Sequence, residues 1–221
     1  LAEVIGQRQI LGADRSLSNM LASKTLGSII FWGPPGVGKT TVARLLALEV
    51  NLHFIQISAI FSGVTELRQV FESAKIRCQN GQKTLLFVDE IHRFNKAQQD
   101  SFLPFMENGT IILVGATTEN PSFELNAALL SRSQVLVLER LSIKELEELA
   151  QRAEAQAKAS LPLETAARMD LLEMADGDGR RLLNLIEQII GWRLKVPLNQ
   201  AALAKRLMKR ARSSLAARRS A

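Results

Sequence analysis

A short apolar run, SIIFW at 28–32, passes without a spacer into GPPGVGKTT at 33–41. That junction narrows the possible folds more than any other feature of the chain. Gly33, Gly38, Lys39 and Thr40 occupy the defining places of G-x-x-x-x-G-K-[ST]. Glycine lets a backbone curl until successive N–H groups point at phosphate oxygens. A helix starting near Lys39 adds its positive dipole end at the same spot. Pro34, Pro35, Gly36 and Val37 complete the loop, and Thr41 follows it. Lys39 is expected to reach the β- and γ-phosphates of a bound ATP, and the Thr40 hydroxyl to ligate Mg²⁺. A plain Gly/Pro turn is the alternative, and the strand–loop–helix context argues against it.

The rest of the chain repeats the same rhythm. Apolar runs at 28–32, 53–57, 84–88, 110–116 and 134–138 read as strands. They are continuously apolar, as expected for parallel strands covered on both faces. Helical patterns at 39–50, 64–79, 96–108 and 126–131 lie between them. The class is therefore α/β, an open and mostly parallel sheet flanked by helices, with ligands beyond the carboxyl ends of its strands. Beyond Leu138 the strands stop. Ser142 and Glu145 form an S-x-x-E capping box; Leu146, Leu149, Ala150 and Ala153 then recur at helical spacing until Pro162, and helical patterns follow near 164–175, 178–194 and 199–211. This predicts a sheet domain over 1–140, a small all-helical lid over 141–198 and a basic helical tail over 199–221.

Composition removes several alternatives. No stretch approaches the roughly 20 apolar residues needed to span a bilayer. The one cysteine, Cys78, excludes an internal disulfide framework and fits a reducing cytosol; it is read as a helix residue without special chemistry. The net charge of +6 invites a nucleic-acid reading. Seven basic residues and no acid lie from Ala201 onward, however, and subtracting those seven leaves −1 for everything before. Net charge alone therefore says little about DNA.

Four further features carry chemistry. The run TLLFV ends in Asp89 and Glu90. A strand-end Asp beside a P-loop partners the Mg²⁺. Glu90 then suits a general base that polarises the attacking water. Two carboxylates beside a metal and a triphosphate are tolerable, whereas two unpaired ones in a dry core are not; an exposed acidic turn is the alternative. Thr118, in GATTEN, stands where a hydroxyl helps hold that water, or is simply a strand-end residue. Arg132 precedes the last strand and reads either as a solvated surface residue or as a cation for phosphate. Arg180, in GDGRRLLN, opens a helix of the lid and is placed to fold over the nucleotide. His53 reads as a strand residue, and His92 carries no assigned chemistry.

Taken in order, these features resemble an AAA+ ATPase. The triplet SRS at 131–133 is similar to the Ser-Arg-Cys motif of clamp loaders, with Ser133 in place of the cysteine. The longer string FVDEIHRFNKAQQDSFLPFMENGTIILVGATTENPSFELNAALLSR closely resembles the replication-associated recombination protein A family, which includes the Werner-helicase-interacting proteins. The resemblance covers residues 1 to about 211. It implies that Lys39 and Thr40 are Walker A residues and that Asp89 and Glu90 form Walker B. It further implies that Thr118 is sensor 1, Arg132 an arginine finger acting on a neighbour, and Arg180 the sensor 2 arginine. The segment VIGQ, with Ile5, Gly6 and Gln7, matches the lining of the adenine pocket.

For the whole protein the resemblance implies a homotetramer in the cytoplasm, at the bacterial nucleoid, acting on DNA forks, junctions and ends. Single-strand DNA-binding protein is the implied partner. Arg68, Lys75, Arg77, Arg93 and Lys96 are candidate DNA contacts, with solvated helix faces as the equal alternative. Three departures stand out: Val37 where threonine is usual, Phe61 where a small polar residue is usual, and RSSLAARRSA, which does not match the family's further helical domain. The last departure, together with a start at Leu1, implies a fragment. A clamp-loader subunit or branch-migration ATPase, and a non-hydrolysing scaffold, are the competing functions. The strings HRFNKAQQD and ATTENPSFE argue against the first, and the intact Lys39, Asp89, Glu90 and Arg132 against the second.

Overall fold

The computed structural model describes residues 4–12, 15–22, 25–194 and 196–208. Backbone packing divides the chain into two units, Leu1–Arg140 and Leu141–Ala221.

The first unit is built on five parallel strands: β1 (Ser28–Trp32), β2 (His53–Ser58), β3 (Thr84–Asp89), β4 (Ile111–Thr117) and β5 (Ser133–Val137). Their order across the sheet is β2-β3-β4-β1-β5. Alternate side chains of one strand enter different cores, which explains the unbroken apolar runs. Ile29, Phe31, Leu85 and Phe87 pack on one face with α1 (Arg8–Leu11), α2 (Ser16–Ala22) and α3 (Lys39–Glu49). Ile30, Leu86 and Val88 face the other way. They pack with α4 (Val64–Gln79), a 3-10 turn (Ile91–Arg93) and α6 (Leu103–Glu107), with α5 (Lys96–Asp100) between the last two in the chain. Two short helices, α7 (Pro121–Glu124) and α8 (Ala127–Ser131), carry the chain from β4 across to β5.

One helix expectation is corrected. The pattern read as a single helix over 96–108 is two helices, α5 and α6, parted at Ser101–Phe102. Pro104 is the cause. It has no N–H to donate four residues back, and its ring would press on the carbonyl of Asp100. It sits instead in the first turn of α6, where that N–H is not needed. Strand limits differ from expectation by one residue at most, apart from the short helices α1, α2 and α7, whose length gives periodicity too little to register.

The second unit is all helical: α9 (Ile143–Ala157), α10 (Thr165–Ala175) and α11 (Gly179–Gly191). The capping box read from the sequence forms. The Glu145 carboxylate accepts from Ser142 N–H at 2.7 Å, and the Ser142 hydroxyl accepts from Glu145 N–H at 3.4 Å. Leu146, Ala150, Leu171, Leu172, Leu182, Ile186 and Ile189 make the core. Residues 200–208 are helical and bury Leu203 in that same core. The start of the expected separate tail is thus part of the helical unit, because its apolar positions are needed to close the core; residues 209–221 lie outside the described residues. Arg168 ties α10 to α9, donating to Glu147 at 2.9 Å and to Glu154 at 2.8 Å.

Candidate nucleotide site at the carboxyl rim of the sheet

In an open parallel sheet, a crevice forms where consecutive connections leave in opposite directions. Here that place lies between β1 and β4. After β1 the chain runs to β2 at one edge, and after β4 it crosses to β5 at the other. The loop 33–38 opens at this crevice.

Its backbone explains its composition. Gly36 and Gly38 have φ of 73° and 97°, a left-handed region costly for side-chain-bearing residues. Gly33 is needed for a different reason. A Cβ there would lie 2.2 Å from the Leu138 carbonyl oxygen, just past β5. The Lys39 ammonium is drawn into the loop and donates to the carbonyls of Gly33 and, at 2.9 Å, of Pro34. At 8% exposure it is a nearly buried cation inside a curl of backbone, an arrangement suited to an anion. Pro35 and Thr41 are exposed, Thr40 is half-buried, and Val37 is buried.

The neighbouring strand ends bring the acids alongside. Register pairs Ser58 with Asp89 and Trp32 with Thr117, so the tips of β3, β4 and β1 lie in a row. Asp89 ends β3. Glu90 follows it with φ 53° and ψ 44°, a left-handed conformation rare for a non-glycine residue. This breaks the strand and starts the 3-10 turn. Strain of this kind concentrates at working sites. One oxygen of the Glu90 carboxylate lies 3.5 Å from the Thr118 hydroxyl and 3.4 Å from Nδ1 of His92. His92 Nδ1 is in turn 2.9 Å from the Thr117 hydroxyl, which accepts from Glu119 N–H at 3.0 Å. Asp89 and Thr40 offer hard oxygen ligands beside the loop, the chemistry that Mg²⁺ prefers.

Gln7 ties the N-terminal segment to the loop. It is buried, with a left-handed φ of 59°. Its amide donates to the carbonyls of Glu139 at 2.8 Å and Val37 at 3.3 Å, and its oxygen accepts from Glu139 N–H at 3.1 Å. It thus fastens the N-terminal segment to both the loop and the chain beyond β5. Ile5 and Gly6 lie on the same segment.

Arg132, an expected site residue, stands at the other end of the sheet. Arg132 ends α8, just before β5, and Ser28 pairs with Ser133. It therefore lies at the amino rim, a strand length of about 16 Å from the loop at roughly 3.3 Å per residue. Its guanidinium is exposed and forks onto Glu107 at 2.8 and 2.6 Å, with a further bond to the Ala128 carbonyl. Beside it is a recess of about 380 Å³ that also takes in Gly27, Ser28 and Lys83. Arg180 is exposed in the first turn of α11, in the helical unit, next to the capping Asp178. His53 opens β2, and its pKa is lowered first by burial and then by the charge of Arg77.

His92 and Glu107 were not singled out from the sequence as site residues. The signal for His92 was its position two residues beyond Glu90, which a 3-10 turn folds back beneath that carboxylate.

The family model of the "ATPase family associated with various cellular activities (AAA)" matches residues 29–141. Replication-associated recombination protein A of Escherichia coli (strain K12) is 46% identical over 194 residues, which is 86% of this chain and 43% of that protein. The ATPase WRNIP1 of Dictyostelium discoideum is 44% identical over 194 residues, 86% of this chain and 22% of that one. The chain thus spans less than half the length of these curated relatives. Among solved structures, the Thermotoga maritima RuvB Holliday junction branch migration motor is similar, with 28% identity and a TM-score of 0.74 over 93% of this chain and 70% of that one. The chain belongs to the AAA family of ATPases, in the group typified by replication-associated recombination protein A.

Proposed function

We propose that the chain binds ATP with Mg²⁺ at the carboxyl rim of its sheet and hydrolyses it, as the motor of a protein that acts on DNA in replication-associated recombination. The observation that supports this best is that two features share one rim of the sheet, at the tips of β1, β4 and β3. A nearly buried lysine sits inside the glycine loop, and Glu90 stands 3.5 Å from Thr118.

Main-chain N–H groups of residues 36–39 hold the phosphates, Pro34 and Pro35 having none to give, and the Lys39 ammonium exchanges loop carbonyls for phosphate oxygens. Thr40 and Asp89 would hold the Mg²⁺, which when bound would supply charge neutralisation for the triphosphate. Glu90 accepts a proton from the attacking water, while Thr118 and His92 keep its carboxylate aimed. Ile5, Gly6 and Gln7 back the adenine side, with Gln7 acting through its bonds to Val37 and Glu139. Arg132 serves a neighbouring copy, because it stands at the amino rim of its own sheet. Arg180 takes the sensor 2 role that the sequence resemblance implies.

Glu90→Gln tests the chemistry. Nucleotide affinity should persist while turnover falls by about 10²- to 10⁴-fold. Loss of binding would mean that Glu90 is structural. The same reading extends to forks, junctions and ends as DNA substrates, to DNA-stimulated hydrolysis, and to a tetramer of the full-length protein. It also extends to single-strand DNA-binding protein as partner and to a cytoplasmic, nucleoid location. A second reading, a branch-migration motor, draws on the fold likeness to RuvB. The sequence kinship at 46% identity favours the first. A branch-migration assay with the full-length protein separates the two.

A further inference from the structure

The loop between β2 and α4 carries an apolar patch with no counterpart in the core. Ile60 is 57% exposed, Phe61 87% and Val64 52%. Three large apolar groups within five residues, on a loop and the first turn of a helix, leave apolar surface that a ligand can cover. The patch borders a groove of about 380 Å³ between α4 and α5, lined by Val64, Leu67, Arg68, Phe71, Gln98 and Phe105.

The charges around it are unevenly matched. Of the five basic residues nominated as DNA contacts, two are engaged. Lys75 pairs with Glu72 at 2.7 Å and lies over the Phe105 ring, and Arg77 donates to the Ser73 hydroxyl at 3.2 Å. Arg68, Arg93 and Lys96 are exposed, with no ion pair among the described residues. Nearby acids are committed. Glu72 is held by Lys75, Asp100 accepts from Asn126 at 2.6 Å, and Glu66 sits in the favourable first turn of α4. What remains is an aromatic ring raised from the surface with three cations on the same face of the sheet.

We propose that Phe61 is a base-stacking contact for unpaired DNA, with Arg68 in the α4–α5 groove and the exposed Arg93 and Lys96 outside it meeting the phosphates. This rests on the DNA reading above and names the form of DNA taken. Every base has a π-face, so one exposed ring suffices to grip single strands without regard to sequence. Stacked duplex offers it no face. The cations match a polyanion, whereas an apolar protein partner would leave them facing nothing.

The test is anisotropy of fluorescein-labelled oligo(dT) and of a labelled duplex against the unaltered chain and its variants, across a salt series. Phe61→Ala should weaken oligo(dT) binding about tenfold and leave its salt slope unchanged. Phe61→Trp should restore binding and Phe61→Leu should not. Arg93→Ala and Lys96→Ala should each flatten the slope by about 0.7, one phosphate contact apiece. Circular dichroism melting establishes that each variant is folded. Undiminished oligo(dT) binding by Phe61→Ala overturns the stacking role alone. Equal losses on duplex and single strand, or a change in oligomeric state in place of DNA affinity, overturn it as well. Failure of the unaltered chain to bind any DNA overturns the DNA reading together with it.

Discussion

Glu90 does two things that a strand-end acid ordinarily does not. It adopts a left-handed backbone, and it keeps one carboxylate oxygen within reach of both Thr118 and His92. His92 touches neither phosphate nor water in the proposed reaction, so it is a positioning residue. Its removal should lower kcat roughly 10- to 100-fold by letting the base drift. Nucleotide affinity should be unchanged, and steady-state kinetics beside nucleotide titration would separate the two effects. Gly33→Ala tests a close approach in the same site. Its Cβ would meet the Leu138 carbonyl at 2.2 Å, so the loop must shift, at a cost of about 1–3 kcal/mol in stability measured by urea unfolding. The doubled acid and the glycine loop could be read in the sequence because spacing defines them. The bonds of Gln7 to Glu139 could not be read, since they join residues separated by nearly the whole first unit.

At the level of elements, the helical unit depends on an ion triad. Arg168 on α10 bridges Glu147 and Glu154 on α9, all three partly buried. Hydrogen bonding to Arg168 is the largest influence on Glu147 and lowers its pKa. For Glu154 burial is largest and opposes the shift, yet bonds from Arg168 and from Leu161 N–H prevail and lower it too. A carboxylate with a depressed folded pKa adds stability above its unfolded value, which is lost as pH falls through the folded one. The helical unit should therefore lose stability on acidification below about pH 4.5. Arg168→Met should blunt that loss in melts recorded across the acid range, and at pH 7 should cost on the order of 1–3 kcal/mol because two carboxylates are left unpaired. Sequence periodicity identified these helices, but it ran α5 and α6 together because the apolar spacing continues across the Pro104 break. The cap at Ser142 was legible since all its parts lie within four residues.

Across the whole molecule the main feature is the distance between the loop at one rim of the sheet and Arg132 at the other. Arg132→Ala should slow hydrolysis by about 10³ to 10⁵ in the assembled protein while nucleotide still binds. Mixing that variant with Glu90→Gln should recover activity, since each lacks a different half of the machinery. Recovery that fails at every mixing ratio would exclude action between copies. Glu107 restrains the guanidinium at 2.6 Å in the single chain, and both groups are solvent-accessible, so Glu107→Gln should change the concentration needed for turnover more than its maximum.

With Arg132 serving a neighbouring copy, as proposed, half a reaction centre on each rim would give the molecule a head and a tail. Copies joined in an open file would always strand one nucleotide at the leading end without its arginine, and one arginine at the trailing end without a nucleotide. A closed circle would have neither. Counting catalytically competent nucleotides per particle thus reports whether the assembly is a file or a circle.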